Sequence, residues 1–195
     1  TILNLFKFPY IEKRNIIVRQ GHAFVSTIHY RLYFELLNCS HFYHMYNGGT
    51  FTQFYSTYRE LTYWGSNGDS VKANNSVVLR NPNYQLCAGI GYGKRGEIVD
   101  AHILHDKSFF TVEGLAITDI NTINRYAILS LINSILGQYT INLYCAQHKH
   151  AGYMNLLPMP DYDKSQSDIE SIVNSIIEIK RHWFSLDETN LEYHG

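Results

Sequence analysis

Near residue 121 the spacing of apolar residues changes from alternation to a recurrence of three and four, which restricts the folds open to the chain. Upstream, short β-branched and aromatic runs (NIIVRQ, HAFVST, TFTQFYS, ELTYW and SVVLR) are separated by Gly, Asn and Ser, the punctuation of strands joined by turns. Further strands are expected on both sides of GYGKRG, residues 91–96, and in FFTVEGLAI; a short helix is expected within YRLYFELLNCSHFYHMY. From Thr122 to about Tyr144, Ile128, Leu131, Ile132, Ile135, Leu136 and Tyr139 mark one face of an amphipathic helix, with Asn121 or Thr122 as N-cap. In QHKHAGYMNLLPMP, Gly152 suits a turn, and Pro158 and Pro160 prevent a helix from continuing. A second helix is expected over about 166–184, capped by Ser165 or Ser167, with Ile169, Ile172, Val173, Ile176, Ile177 and Lys180 on one face. The expectation is an α+β fold. Its β-rich body carries an amphipathic core helix (about 122–144) and spans residues 1–160; a C-terminal helix (about 166–184) and tail, residues 161–195, pack on it.

GYGKRG fits the glycine pattern of a dinucleotide-phosphate cradle, which needs a strand before it and a helix after it. YQLCAGI supplies the strand, but the following EIVDAHILH reads as another strand, so no helix N-terminus faces a phosphate. The stretch is read as a glycine-rich connection between strands with Lys94 and Arg95 at its tip, its glycines allowing positive φ and a close backbone approach to a ligand. NPNY, residues 81–84, is near the N-P-P-[YF] of DNA amino-methyltransferases, but Asn83 replaces the second proline and no cofactor-binding glycine turn precedes it. An Asn-Pro turn accounts for it. His102 and His105 would point to opposite faces of a strand, and neither they nor His148 and His150 have a carboxylate or cysteine at ligand spacing. No nucleophile elbow, zinc-protease or phosphate-loop motif occurs.

Hydrophobic residues make up 45% and charged residues 17%, as in an ordinary globular chain. The net charge of −1 speaks against a strongly basic nucleic-acid binder, yet it is unevenly placed. Residues 158–195 carry 3 basic and 8 acidic side chains; residues 1–157 carry 13 and 9. A mildly basic body with an acidic tail can still present a positive groove. Cys39, Cys87 and Cys145 are widely spaced and odd in number, so reduced thiols in a cytoplasm are expected. Neither a signal peptide nor a membrane-spanning run is visible, and the start TILNLF, without Met, suggests a piece of a longer protein.

Basic, amide and aromatic residues recur on the expected loops, the types that hold phosphates and read base edges. The candidate DNA contacts are Arg59, Arg80, Asn83, Tyr92, Lys94, Arg95, Lys107, Gln147 and Lys149. Among these, Lys94, Arg95, Lys107 and Lys149 suit phosphate; Arg59, Arg80, Asn83 and Gln147 suit bases.

The order of several segments resembles target-recognition domains of bacterial N6-adenine DNA methyltransferases of the BREX and type IIG restriction–modification classes. NGGTFTQFYSTYRELTYWGSNGDSV resembles their glycine–aromatic–tryptophan entry, and RNPNYQLCAGIGYGKRG their R-x-x-x-Y…G-I-x-[YW] stretch. HDKSFFTVEGLAI is similar to their F…G-x-x-I strand, ILSLINSILGQY to their L-L-x-L-L-N-S helix, and HKHAGYMNLLPMP to their closing L-P-[IM]-P. IIEIKRHWFSLDETNLEYH looks like their tail, although His182, Phe184 and Asn190-Leu191 stand where that tail has Asp, Asp and Ser-Trp. The resemblance covers roughly residues 46–195. It implies a non-catalytic fragment that recognises double-stranded DNA, beside a catalytic methyltransferase domain that holds S-adenosylmethionine. The alternatives are a type I-like specificity or protein-interaction module docking a methyltransferase subunit, and an independent methyltransferase or nuclease.

Overall fold

The computed structural model describes residues 2–24, 30–37, 40–49, 52–74, 77–190 and 192–194. At its centre is β7 (Gly89–Gly93), Gly-Ile-Gly-Tyr-Gly, buried along its whole length. It pairs antiparallel with β10 (Gly114–Thr118) and β8 (His102–Leu104), and β1 (Val18–Arg19) continues the sheet beyond β10. Because side chains alternate across a strand, the sheet has one large-residue face and one small-residue face. Ile90, Tyr92, Leu115 and Ile117 enter the main core, while the registered row Ala116–Gly91–His102 faces the rings of Tyr46 and Tyr58. A Cβ on Gly91 would stand 3.1 Å from both the Tyr46 ring and His102 Nε2. This glycine therefore serves internal packing and not an approach to a ligand; GYG lies within a strand, and of GYGKRG only Gly96 (φ 129°) has positive φ.

A second sheet lies against this small-residue face, in the order β3 (Tyr30–Leu32), β5 (Glu60–Tyr63), β4 (Phe42–Tyr46), β9 (Phe109–Phe110), the last pair parallel. β2 (Ala23–Phe24) and β6 (Val77–Val78) form a separate pair, and α1 (Asp69–Lys72) is a single turn. The helix expected in residues 30–46 is instead β3, a 3₁₀ turn at Tyr33–Glu35, and β4; Asn38 and Cys39 lie outside the described residues. Within TFTQFYS, Thr50 and Phe51 lie outside the described residues, and the described part makes only an isolated bridge from Phe54 to His102, since Phe54 has φ 70° and cannot continue a pleat. EIVDAHILH is a strand only at His102–Leu104, because Asp100 turns back to accept the Gly93 amide at 2.7 Å.

The main core is closed by α2 (Thr122–Asn133), whose Ile128 and Ile132 are fully buried, each contributing roughly 1.5–3 kcal/mol. The Asn121 carbonyl accepts from the Arg125 amide, which sets the helix start. One helix was expected to Tyr144, but Ser134 is extended (ψ 153°), and α3 (Ile135–Tyr144) begins anew with Ser134 Oγ accepting from Gly137 N at 3.0 Å. The break rotates the face that points inward: α3 buries Gly137, Thr140 and Ile141 and leaves Ile135, Leu136 and Tyr139 exposed. α4 (Ala151–Met154) and the Pro158–Pro160 segment follow, with Leu157 and Met159 in the core. α5 (Gln166–Ser185) packs on α2 through Val173 and Ile177, so one core runs across residue 160. Ser165 holds its N-cap position without a side-chain cap bond, and Ile172 lies outside the contact. The tail returns to the body, where Thr57 donates to Asn190, Arg59 to Thr189 at 3.0 Å and Tyr55 to Glu192. No described helix is long and apolar enough to cross a membrane.

Gly137 allows the α2–α3 junction: a Cβ there would stand 1.8 Å from the Leu131 carbonyl oxygen. Gly137→Ala is expected to lower stability by about 2 kcal/mol or more in urea unfolding. Gly152→Ala, whose Cβ would meet nothing within 4 Å, is expected to be neutral or slightly stabilising.

Candidate nucleic-acid interface

The chain leaving β7 is held by a segment distant in sequence. Lys149 N donates to Lys94 O at 2.7 Å, Gly96 N to Gln147 O at 3.0 Å, and Arg95 forms an antiparallel bridge with His148. The two connections make one rim. Glu113, from the β9–β10 turn, accepts from Lys94 Nζ at 3.2 Å and Arg95 Nε at 2.8 Å. Burial alone would raise the Glu113 carboxyl, but the bonds from Arg95 and Lys94 outweigh it and hold its pKa below the ordinary range. One carboxylate thus offsets one of two cations and fixes both. Arg95 keeps 70% of its side chain exposed, whereas Lys94 keeps 16%. Gln147 and His148 are exposed beside it. Behind the rim is an open depression of about 630 Å³, lined by Tyr144, Cys145, Ala146, Gln147, His148, His150 and Tyr153. Amide, imidazole and phenol groups there can donate and accept hydrogen bonds, and the tyrosine rings supply apolar faces.

Two candidates are turned inward. Tyr92 is fully buried and donates to the Lys149 carbonyl at 3.3 Å, so its ring belongs to the core. Burial holds its hydroxyl well above the usual phenol pKa. Lys149 is also buried: its ammonium donates to Asn142 Oδ1, Ala146 O and, at 3.5 Å, Cys145 O. It caps the C-terminal carbonyls of α3 where the helix dipole favours a cation, and cannot reach a phosphate. Burial lowers its pKa.

The other candidates do not join the rim. Lys107 is exposed beyond β8, and the register Gly89↔Leu104 puts it at the opposite end of β7 from Lys94. Arg80 donates to Gln20 Oε1 at 3.3 Å, and Arg59 is tied to the tail. Asn83 lines a separate depression of about 450 Å³ with Tyr84, Cys87, Ala88, Asp119, Ile120 and Asn121. Asn81 in NPNY is left-handed (φ 49°) and donates to Gln20 O at 2.8 Å, the geometry of a turn. Sequence reasoning missed Arg19, whose guanidinium lies 3.5 Å from the Tyr84 ring centre. A lone Arg at the end of a short strand carries no signal for such a stack.

The expected separation of His102 from His105 is overturned. β8 ends at Leu104, and both imidazoles contact the Tyr58 ring, at 5.8 and 4.8 Å. His102 Nδ1 lies 2.9 Å from Asp100 O, which makes it the donor, and Nε2 lies 3.2 Å from Tyr58 Oη. Among the described residues no group of three His, Cys, Asp or Glu side chains is placed to hold a metal ion. No protein-family model matches the chain, and no curated protein matches it.

Two measurements test these placements. Lys149→Met leaves the α3 carbonyls unpaired and is expected to cost about 2 kcal/mol in urea unfolding. The second is a stability–pH profile. Burial pushes His22 and His102 down from 6.5 to about 4 and lowers His44 too, so below about pH 6.5 the unfolded chain takes up protons that the folded chain refuses. Stability therefore falls as pH drops from about 6.5 to about 4. Asp100, raised from 3.8 to about 6 by burial, acts oppositely between those values and offsets only part of the loss. His102→Gln is expected to flatten the profile of the urea midpoint in that window.

Proposed function

We propose that this chain is the DNA target-recognition part of an N6-adenine DNA methyltransferase or restriction–modification protein, and that it carries no chemistry of its own. One observation supports the reading most: connections about fifty residues apart in sequence are hydrogen-bonded into one rim that presents Arg95, Gln147 and His148 beside a tyrosine-lined depression. Both connections lie in segments that resemble the family's recognition region. The other segments of that resemblance supply buried scaffold: β10, α2, and Leu157 and Met159 of the L-P-M-P segment. In this reading the rim faces the major groove, Arg95 takes a phosphate or the paired acceptors of guanine, and Gln147 pairs with an adenine edge. Glu113 holds the Arg95 side chain in place, so little conformational freedom is lost on binding. S-adenosylmethionine would belong to a catalytic domain in the same chain or a partner subunit, working in the cytoplasm. A second reading, a module docking such a subunit, is favoured by the exposed Ile135, Tyr139 and Leu143 on the uncharged α3.

Fluorescence anisotropy with labelled duplexes tests the proposal. The chain is expected to bind duplex DNA, and Arg95→Ala to weaken binding to every sequence while reducing the salt slope by about one counterion. Gln147→Ala should weaken binding on the preferred sequence only, and Lys107→Ala, at the other end of the sheet, should change neither. Unaltered affinity and slope in both Arg95→Ala and Gln147→Ala would remove the rim from the account.

A further inference from the structure

The tail closes a recess in the body that shares no residue with the rim. His44 from β4, Thr57 and Tyr58 from the segment before β5, His105 just beyond β8 and Glu192 from the tail line a partly enclosed space of about 70 Å³. That is about the room of two water molecules, or of an ammonium ion bearing one or two methyl groups. The His44 and His105 rings lie 6.2 Å apart, and each meets the Tyr58 ring edge to face, at 6.4 and 4.8 Å. Three aromatic walls therefore adjoin one carboxylate.

Not all the polar atoms of these walls are used within the protein. The Tyr58 hydroxyl donates to His102 Nε2 at 3.2 Å, His105 Nε2 to Ser56 O at 2.7 Å, and Thr57 Oγ1 to Asn190 Oδ1 at 2.6 Å. Glu192 Oε1 accepts from Tyr55. By contrast, His44 Nδ1 and Glu192 Oε2 are buried and meet no hydrogen-bonding partner among the described residues. Buried polar atoms are almost always paired, so two unmet ones on residues lining a single recess mark the place of a hydrogen-bonding occupant.

The two atoms also narrow its class. Burial and the neighbouring His105 lower the His44 pKa more than Glu192 raises it, so near neutral pH the imidazole is uncharged and has a lone pair to offer. A carboxylate oxygen is an acceptor as well. Two acceptors, one of them anionic, disfavour an anion and suit a cation with at least two N–H groups. A metal ion is poorly served, since among the described residues no three His, Cys, Asp or Glu side chains are placed to hold one. Arg181 is engaged elsewhere: it lies 5.3 Å from the Tyr55 ring, pairs with Glu178 at 2.7 Å and does not line the recess. The aromatic walls suit the methyl groups of a small organic cation.

We propose that this recess binds a small primary or secondary alkylammonium ion, whose N–H groups reach Glu192 Oε2 and His44 Nδ1 while its alkyl part rests on the aromatic rings. Because Glu192 comes from the tail, the bound ion also pins the tail to the body. The inference is independent of DNA binding, and its test contains no nucleic acid.

Titration of the full chain with dimethylammonium chloride at constant ionic strength, followed by NMR of the histidine rings and backbone amides, tests the assignment. So small a ligand binds at roughly millimolar strength at best, and the titration therefore extends to about 100 mM. Saturable shifts are expected at the His44 and His105 rings and at the Asn190 and Glu192 amides. Tetramethylammonium, a cation without N–H groups, is expected to bind more weakly by roughly ten-fold or more. Glu192→Gln, which keeps an acceptor for Tyr55, is expected to weaken dimethylammonium binding to a similar degree, with the Thr189 and Asn190 amides showing the tail still docked. Absence of saturable shifts at the two histidines overturns the proposal and leaves the recess to water. So does tetramethylammonium binding as tightly as dimethylammonium, or an undiminished affinity in Glu192→Gln.

Discussion

The fold depends on how closely two sheets approach across β7. The row Ala116–Gly91–His102 presents almost no side-chain volume at its centre, and the Tyr46 ring fills that space, 4.5 Å from the His102 ring centre. Closely packed interiors tolerate little added volume, so a methyl group at Gly91 would push the second sheet outward. The opposite face of the same strand holds Ile90 and Tyr92 against the core closed by α2. Small on one side and large on the other, β7 lets the chain build two cores from one strand.

The same strand decides where the charged groups go. Where β7 ends, Lys94 and Arg95 leave the sheet together and meet Glu113 from the β9–β10 turn, because Gly93 and Gly114 are paired in register. The 147–149 segment completes the edge, and its lysine turns inward to cap α3. A cationic cluster in the sequence has thus been divided into a buried structural cation, a half-buried pair and one exposed guanidinium. That division fits a surface that positions a few specific contacts better than one that binds polyanions through bulk charge.

The sequence period showed α5 almost to the residue, and the start of α2, because sustained amphipathic spacing leaves few alternatives. ELTYW was legible as a strand from its β-branched and aromatic residues, whereas FFTVEGLAI, read as one strand, is two, β9 and β10, which lie in different sheets on either side of the turn at Val112–Glu113. The α2–α3 break was not legible, since ILSLINSILGQY keeps its period through Ser134 and only the tertiary contact of Gly137 with Leu131 shows the change of face. Residue type also misled at the site: Lys149 and Tyr92 have the chemistry of DNA contacts, but Tyr92 is turned inward to a carbonyl 57 residues on, and the Lys149 ammonium folds back on Asn142, Cys145 and Ala146 at the end of α3. The joining of residues 94–96 with 147–149 has no local signal, because a few backbone bonds between loops leave no periodic trace.

The central claim is that this rim receives a double helix. Amide chemical-shift mapping during titration with duplex DNA tests it most directly, because every backbone position reports at once. The account predicts the largest shifts at Arg95, Gly96, Gln147 and His148, with little change near Asn83 and Lys107. Shifts centred on Asn83 to Ala88 and Asp119 to Asn121, or a spectrum unaffected by saturating duplex, would contradict it.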